Sequence, residues 1–152
     1  MALSLDLTGK VVLVTGGTRG IGRGITSAFL SAGASVVTCS RSEVEPVPGS
    51  THHVCDVRDP EAVTALVDAV VAEHGSLDVL VNNAGGAPAT DAATASPRFH
   101  DKILALNLSA PLVLAQAANR VMQEQGTGGA IVNISSISAH RPAPTIAAYG
   151  AA

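Results

Sequence analysis

A glycine-rich stretch, TGGTRGIGRGI, limits the folds open to this chain more than any other segment. It follows the apolar run KVVLVTG (10–16) and precedes a helical pattern at 20–33. Glycines between a strand and a helix let the backbone approach a pyrophosphate, because no Cβ stands in the way, and the helix directs free N–H groups at the anion. We therefore predict a dinucleotide-binding loop. Its predicted cofactor-binding residues are Gly16, Thr18, Arg19, Gly20, Ile21 and Gly22.

The rest of the chain alternates between strand-like and helix-like segments. Most of the apolar runs show little alternation with polar residues, which is typical of strands covered on both faces. The predicted strands are 10–16, 35–40, 52–57, 77–85 and 129–136. The predicted helices are 20–33, 59–75 and two within 97–125 that meet near Asn107–Pro111, while 41–53 is a loop without a helix. This order predicts a single α/β domain over 1–152, a doubly wound parallel sheet with helices on both faces.

Composition excludes several classes of function for the 152 residues. The net charge is -3 and no block of Lys and Arg exists to neutralise phosphates, so we expect no nucleic-acid partner. No apolar run is long enough for a membrane span. Cys39 and Cys55 end predicted buried strands, which favours small buried hydrophobes in a reducing cytoplasm. His52 and His53 add no recognised metal-ligand spacing, so we predict no metal site.

The end of the second predicted strand bears on which dinucleotide binds. An acidic residue there would bind the ribose 2′-hydroxyl of NAD, but Ser40 occupies that position and Arg41 follows it. An arginine can pair with a 2′-phosphate through its guanidinium fork. NADP(H) is therefore the preferred cofactor and NAD(H) a possible one. Two alternatives weaken this preference for NADP(H). In the first, Arg19 and Arg41 are solvated surface charges with no role in binding. In the second, Arg41 lies on a loop that prolines stiffen.

Five ordered motifs now converge on one family. TGGTRGIG (15–22), NNAG (82–85), Asn107, ISS (134–136) and Tyr149 together resemble the short-chain dehydrogenase/reductase family. The resemblance runs from Leu7 to Ala152 and implies the same doubly wound (Rossmann) fold.

The resemblance also implies roles for individual residues. Asp56 would accept a hydrogen bond from the adenine amino group, and Val57 would line the ring pocket. Asn83, Ala84 and Gly85 would pass beside the adenine ribose. Asn107 would bend its helix and hold a water of the proton relay. The implied catalytic residues are Ser136, Tyr149 and Asn107.

These residue types suit the reduction of a carbonyl group. The nicotinamide carries the hydride, so the protein must orient it and move one proton. A tyrosine hydroxyl can donate that proton, and a serine hydroxyl can hold the substrate oxygen because it both donates and accepts. We expect an NAD(P)H-dependent oxidoreductase that interconverts a carbonyl and a secondary alcohol. The alternatives are a nucleotide-binding protein without turnover, an epimerase, or a redox sensor on the same fold.

The family pattern places a lysine four residues after the tyrosine, at position 153, whereas the sequence ends at Ala152. The strand predicted at 129–136 would also be an apolar sheet edge. We therefore expect a fragment, interrupted within the catalytic helix, that lacks C-terminal strands and is inactive by itself. The resemblance further implies a small-molecule substrate and, at full length, a homo-oligomer (dimer or tetramer) that pairs through the helices around 97–125 and the helix that begins at Tyr149.

Overall fold

The computed structural model of the protein describes residues 5–141 and 143–152. It contains five strands: β1 (Val11–Thr15), β2 (Ser35–Ser40), β3 (Thr51–Val54), β4 (Val79–Asn82) and β5 (Ala130–Asn133). All neighbouring pairs are parallel, and the order across the sheet is β3-β2-β1-β4-β5. The chain builds outward from β1 to β3 and then returns to the other side of β1. The predicted doubly wound sheet is confirmed.

Helices connect the strands in the predicted order. They are α1 (Gly20–Ser31), α2 (Pro60–His74), α3 (Pro97–Leu104), α4 (Ala110–Glu124) and the short α5 (Ala147–Ala151). A π-helical turn, Ala105–Ser109, joins α3 to α4, and a 3-10 turn, Ile137–Ala139, follows β5. In the described part of the chain no helix is both long and apolar enough to cross a membrane.

Helix α2 shows how local sequence sets the element boundaries. Asp59 caps the first turn by accepting hydrogen bonds from the N–H groups of Glu61 and Ala62, and Pro60 occupies the first helical position, where no N–H is needed. Gly75 ends the helix with a φ of 83°, a conformation that glycine adopts without a steric penalty.

The sheet divides the core into two layers. Successive side chains of β1 point to opposite faces, so Val11 and Leu13 pack with α2 and α4 while Val12 and Val14 pack with α1. Both cysteines are buried in the first layer, as predicted. Strands β1, β2 and β4 are covered on both faces, which accounts for their near-continuous apolar runs. All four residues of β5 are exposed, so this strand is the apolar sheet edge that the sequence predicts.

Four predicted strands are longer than the observed ones. The carboxyl end lies three residues earlier than predicted in the third, fourth and fifth strands, which end at Val54, Asn82 and Asn133 rather than at residues 57, 85 and 136. The first strand is one residue shorter at each end. Residues 83 and 84 leave the strand because their N–H groups bond to the Thr15 hydroxyl instead of to a neighbouring strand. The helices predicted to meet near Asn107–Pro111 do so through the π-helical turn, without a break in the helical path. Residues 41–50 contain no helix, as predicted.

Candidate functional site

The predicted site residues gather at one edge of the sheet. Parallel strands bring their carboxyl ends to the same edge, and β1, β2, β3 and β4 each end within two residues of a predicted cofactor-binding residue. Ligands of open α/β sheets bind at this edge, where the strand order reverses. Here the reversal lies between β1 and β4.

The glycine-rich loop has the geometry of a cradle for an anion. Gly16 and Gly20 have φ values of 64° and 54°, in the left-handed region that favours glycine. A Cβ on Gly22 would overlap the Gly16 carbonyl oxygen, so the first turn of α1 can lie against the loop only because residue 22 is glycine. Arg19 precedes α1 without a capping side-chain hydrogen bond, and the first turn carries no acidic residue. The free N–H groups of that turn therefore suit a pyrophosphate.

Asn83 fastens the end of β4 to this loop. Its side-chain Nδ2 donates to the carbonyl oxygens of Thr15, at 2.8 Å, and Gly16, at 3.2 Å. The backbone N–H groups of Asn83 and Ala84 both donate to the Thr15 hydroxyl, at 3.0 and 2.9 Å. The glycine loop and the segment after β4 are thus held as one unit.

Asn107 lies in the π-helical turn and holds the next part of that segment. Its Oδ1 accepts from the Gly86 N–H at 2.7 Å, and its Nδ2 donates to the carbonyl oxygens of Gly86 and Ile103, at 3.1 and 2.9 Å. A Cβ on Gly85 would lie 2.8 Å from Asn107 Oδ1, so the residue must be small there. The side chain predicted to bend its helix therefore also orders the loop after β4.

Ser136 and Tyr149 lie on neighbouring elements beyond β5. Ser136 caps the 3-10 turn, where its Oγ lies 3.2 Å from both the Ser138 N–H nitrogen and the Ser138 hydroxyl. The Ser138 carbonyl oxygen faces Gly150 of α5 so closely that a Cβ there would lie 2.6 Å away, which brings the turn against the helix that carries Tyr149. Tyr149 is half-buried in α5 beside Phe99 and His100 of α3, around a small cavity.

The end of β2 carries no acidic side chain. Ser40 is half-buried and donates to the Ser42 carbonyl oxygen at 2.9 Å, while Arg41 is exposed between them. His52 of β3 lies beside this turn, with its Nε2 3.2 Å from Ser40 Oγ. The hydroxyl and the arginine thus lie together at the carboxyl end of β2, where the sequence predicts that the adenosine ribose binds.

Asp56 follows β3 and is bound by Arg58. The guanidinium donates to both carboxylate oxygens, and the Arg58 N–H donates to Oδ1 at 3.1 Å. These hydrogen bonds hold the pKa of Asp56 below its usual range, against a smaller opposing effect of burial, and the charge of Arg41 lowers it further. Asp56 is therefore a carboxylate, an acceptor, over the whole physiological range. Val57 is buried behind it.

Sequence reasoning missed two of the residues at this edge. The partnership of Arg58 with Asp56 could have been suspected from their spacing of two residues. The contact of His52 with Ser40 depends on the register of β2 against β3, where Thr38 pairs with His52, and register is not readable from one sequence.

Comparison with known proteins gives one consistent result. A family model described as short chain dehydrogenase matches residues 10–152. D-threitol dehydrogenase of Mycolicibacterium smegmatis is 41% identical over 151 residues, with 90% of this chain and 58% of the relative covered. L-fucose dehydrogenase of Bos taurus is 37% identical over 163 residues, with 99% of this chain and 59% of the relative covered. The chain therefore spans less than two thirds of the length of these relatives.

A solved structure agrees with both sequence matches. The crystal structure of a putative short-chain alcohol dehydrogenase from Sinorhizobium meliloti superposes with a TM-score of 0.89 at 36% identity. The superposition covers 98% of this chain and 63% of the other. The fold and the order of the motifs are thus those of one known group of enzymes.

Proposed function

The chain belongs to the short-chain dehydrogenase/reductase family, and from this premise we propose that its protein is an oxidoreductase that interconverts a carbonyl group and a secondary alcohol. The observation that carries the proposal is the cradle between β1 and α1, where a Cβ at residue 22 would fill the space against Gly16. A backbone surface without side chains, at a helix N-terminus, fits a dinucleotide pyrophosphate. When bound, the nicotinamide supplies or accepts the hydride.

The chain's own residues divide the binding of that cofactor between them. The glycine loop would hold the pyrophosphate through its N–H groups, and the carboxylate of Asp56 would accept from the adenine amino group. The segment after β4, fixed to Thr15 through Asn83, would pass beside the ribose. The proposed cofactor-binding residues are Gly16, Thr18, Arg19, Gly20, Ile21, Gly22, Ser40, Arg41, Asp56, Val57, Asn83, Ala84 and Gly85.

NADP(H) is the proposed preference, with NAD(H) as the second choice. Ser40 stands where an acidic residue would repel a 2′-phosphate, and the neighbouring Arg41 is exposed and free to turn toward one.

The proposed proton chemistry uses three residues. Tyr149 donates a proton to the carbonyl oxygen during reduction, and Ser136 holds that oxygen by a hydrogen bond. Asn107 supports the relay from the π-helical turn. Its three hydrogen bonds to Gly86 and Ile103 make it a rigid part of the site.

Replacement of Tyr149 by Phe tests this assignment. We expect Tyr149→Phe, made in the protein expressed from its full reading frame, to lower kcat by a factor on the order of 100 or more, because the proton donor is removed. NADPH binding, followed by fluorescence titration, should be unchanged because the phenyl ring remains. Turnover is measured as NADPH absorbance with a panel of ketones and oxidised sugars, since two relatives are named for D-threitol and L-fucose.

The same assay separates the proposal from its alternative. A protein that binds NADPH but oxidises it with no member of the panel would be a nucleotide-binding protein without turnover. A Tyr149→Phe variant as active as the wild type would contradict the role of Tyr149 alone.

We further propose a homo-oligomer located in the cytoplasm. The support is a pair of exposed apolar side chains on the helices of 97–125: Leu108 is 44% exposed and Leu112 is 59% exposed, and the two lie four positions apart on one continuous helical path. Sedimentation analysis of the full reading frame's product would test it, and a monomer would contradict it.

A further inference from the structure

His52 occupies a position where it can act on the proposed cofactor pocket from the neighbouring strand. It pairs with Thr38 in the β2–β3 register, so its ring lies on the α1 side of the sheet, over Thr38 and Ser40. The next residue, His53, points to the opposite face, where its Nε2 lies 3.2 Å from Glu73 of α2. The two adjacent histidines therefore have different surroundings.

The ring of His52 connects two hydroxyl groups of β2. Its Nδ1 lies 3.0 Å from Thr38 Oγ1, and its Nε2 lies 3.2 Å from Ser40 Oγ. Each hydroxyl in turn donates its hydrogen to a carbonyl oxygen: Thr38 to Thr51 at 3.0 Å, and Ser40 to Ser42 at 2.9 Å. The ring thus forms a bridge from the buried part of β2 to the turn that carries Arg41.

One nitrogen of the ring lies against both polar atoms that close the turn around Arg41. Ser40 Oγ donates to the Ser42 carbonyl oxygen at 2.9 Å. His52 Nε2 lies 3.2 Å from Ser40 Oγ and 3.4 Å from the same Ser42 carbonyl oxygen. The ring therefore supports the two residues on either side of Arg41 at once.

We propose that His52 is a positioning residue for cofactor selection, which holds Ser40 and the Arg41 turn in place for the 2′-phosphate of NADP(H). The role of His52 rests on the proposed preference for NADP(H), and it adds His52 to the residues that determine that preference. Ser40 bonds to Ser42 across Arg41, so the hydroxyl fixes both ends of the turn, and His52 fixes the hydroxyl. NAD(H) lacks the phosphate and gains nothing from this arrangement.

Two amide substitutions separate the two halves of the bridge. The amide of Asn reaches about as far as Nδ1 and would keep only the contact to Thr38, whereas the amide of Gln reaches about as far as Nε2 and would keep the contact to Ser40. We expect His52→Asn to weaken NADPH binding about tenfold, because the hydrogen bond that holds Ser40 is lost. We expect His52→Gln to retain most of the wild-type affinity. NADH affinity should change by less than about twofold in both variants, because the rest of the pocket is intact.

The measurement is calorimetric titration of the full reading frame's product with NADPH and NADH, repeated with 2′,5′-adenosine bisphosphate and adenosine 5′-monophosphate. His53→Asn and His53→Gln are the matched controls, since that ring contacts Glu73 and not Ser40. Both controls should leave the NADPH to NADH affinity ratio unchanged.

Arg41→Ala distinguishes failure of this inference from failure of the proposed cofactor. Suppose that the wild type prefers NADPH, that Arg41→Ala abolishes this preference, and that both His52 variants keep it. The role of His52 is then wrong, while the proposed preference for NADP(H) is supported. Equal losses in His52→Asn and His52→Gln, or equal losses for both nucleotides, would also overturn it. A wild type with no preference for NADPH would overturn both.

Discussion

Gly22 and Gly24 lie two positions apart in α1 but have different surroundings. A Cβ on Gly22 would overlap the Gly16 carbonyl oxygen and lie 2.5 Å from Asn83 Nδ2, whereas a Cβ on Gly24 would meet nothing within 4 Å. The sequence shows the same residue at both sites. The structure shows that only Gly22 must lack a side chain, because only there does the helix lie in close contact with the glycine loop.

A pair of alanine substitutions tests this difference. We expect Gly22→Ala to lower the free energy of unfolding by about 1–3 kcal/mol and to abolish NADPH binding, because backbone atoms cannot move aside. Gly24→Ala should raise the free energy of unfolding by about 0.5–1 kcal/mol, because alanine favours the helix. Urea denaturation and fluorescence titration measure the two effects. Tight NADPH binding by Gly22→Ala would refute the cradle.

At the scale of elements, Asp78 joins the starts of three strands. Its carboxylate accepts from the Lys10 ammonium and the Val11 N–H, both at 2.9 Å, and from the Ser76 hydroxyl at 3.1 Å. Its backbone accepts from the N–H of Ala130 at the start of β5. Burial raises the pKa of this carboxyl, but the hydrogen bonds outweigh burial, and the net pKa is lowered. The folded state therefore favours the ionised form of Asp78.

A lowered pKa in the folded state predicts a stability that depends on pH. The contribution of Asp78 is fully present above the unfolded value, near 3.9, and is lost as the pH falls through the lower folded value. We expect Asp78→Asn to cost about 1–3 kcal/mol at pH 7, and the difference from the wild type to shrink as the pH falls below about 4. Asp101→Asn, at an exposed position of α3, is the control and should change stability by less than about 0.5 kcal/mol. A pH-independent gap for Asp78→Asn, in urea denaturation series from pH 3 to 7, would contradict the assignment.

The elements themselves were predictable from the sequence where local chemistry sets them. The start and end of α2 follow from Asp59, Pro60 and Gly75, and each has the predicted cap. The ends of β3 and β4 were each predicted three residues too late because the partners that end these strands are distant in sequence. The Thr15 hydroxyl, which draws residues 83 and 84 out of the strand, is one such partner.

At the scale of the whole molecule, the site is a product of topology. The glycine loop was predicted from local sequence because a strand, glycines and a helix are consecutive there. The bridge from His52 to Ser40 was not, because it needs the register of two strands joined by a loop with no regular spacing. Local motifs therefore identify the family, and the packing of the sheet decides what each motif touches.

Cofactor binding should stabilise the molecule as a unit. The loop after β1 and the segment after β4 are held together by Asn83, so a ligand bound to one opposes the opening of both. NADPH at about one hundred times its Kd should raise the free energy of unfolding by about 2.7 kcal/mol. Amide exchange should slow at 16–22 and 83–86 together, while amides in the middle of α4, remote from this edge, keep their rates. Thermal melting and hydrogen-exchange mass spectrometry measure the two effects, and Gly22→Ala should abolish both. Protection of the glycine loop without protection of 83–86 would show that the two segments open independently.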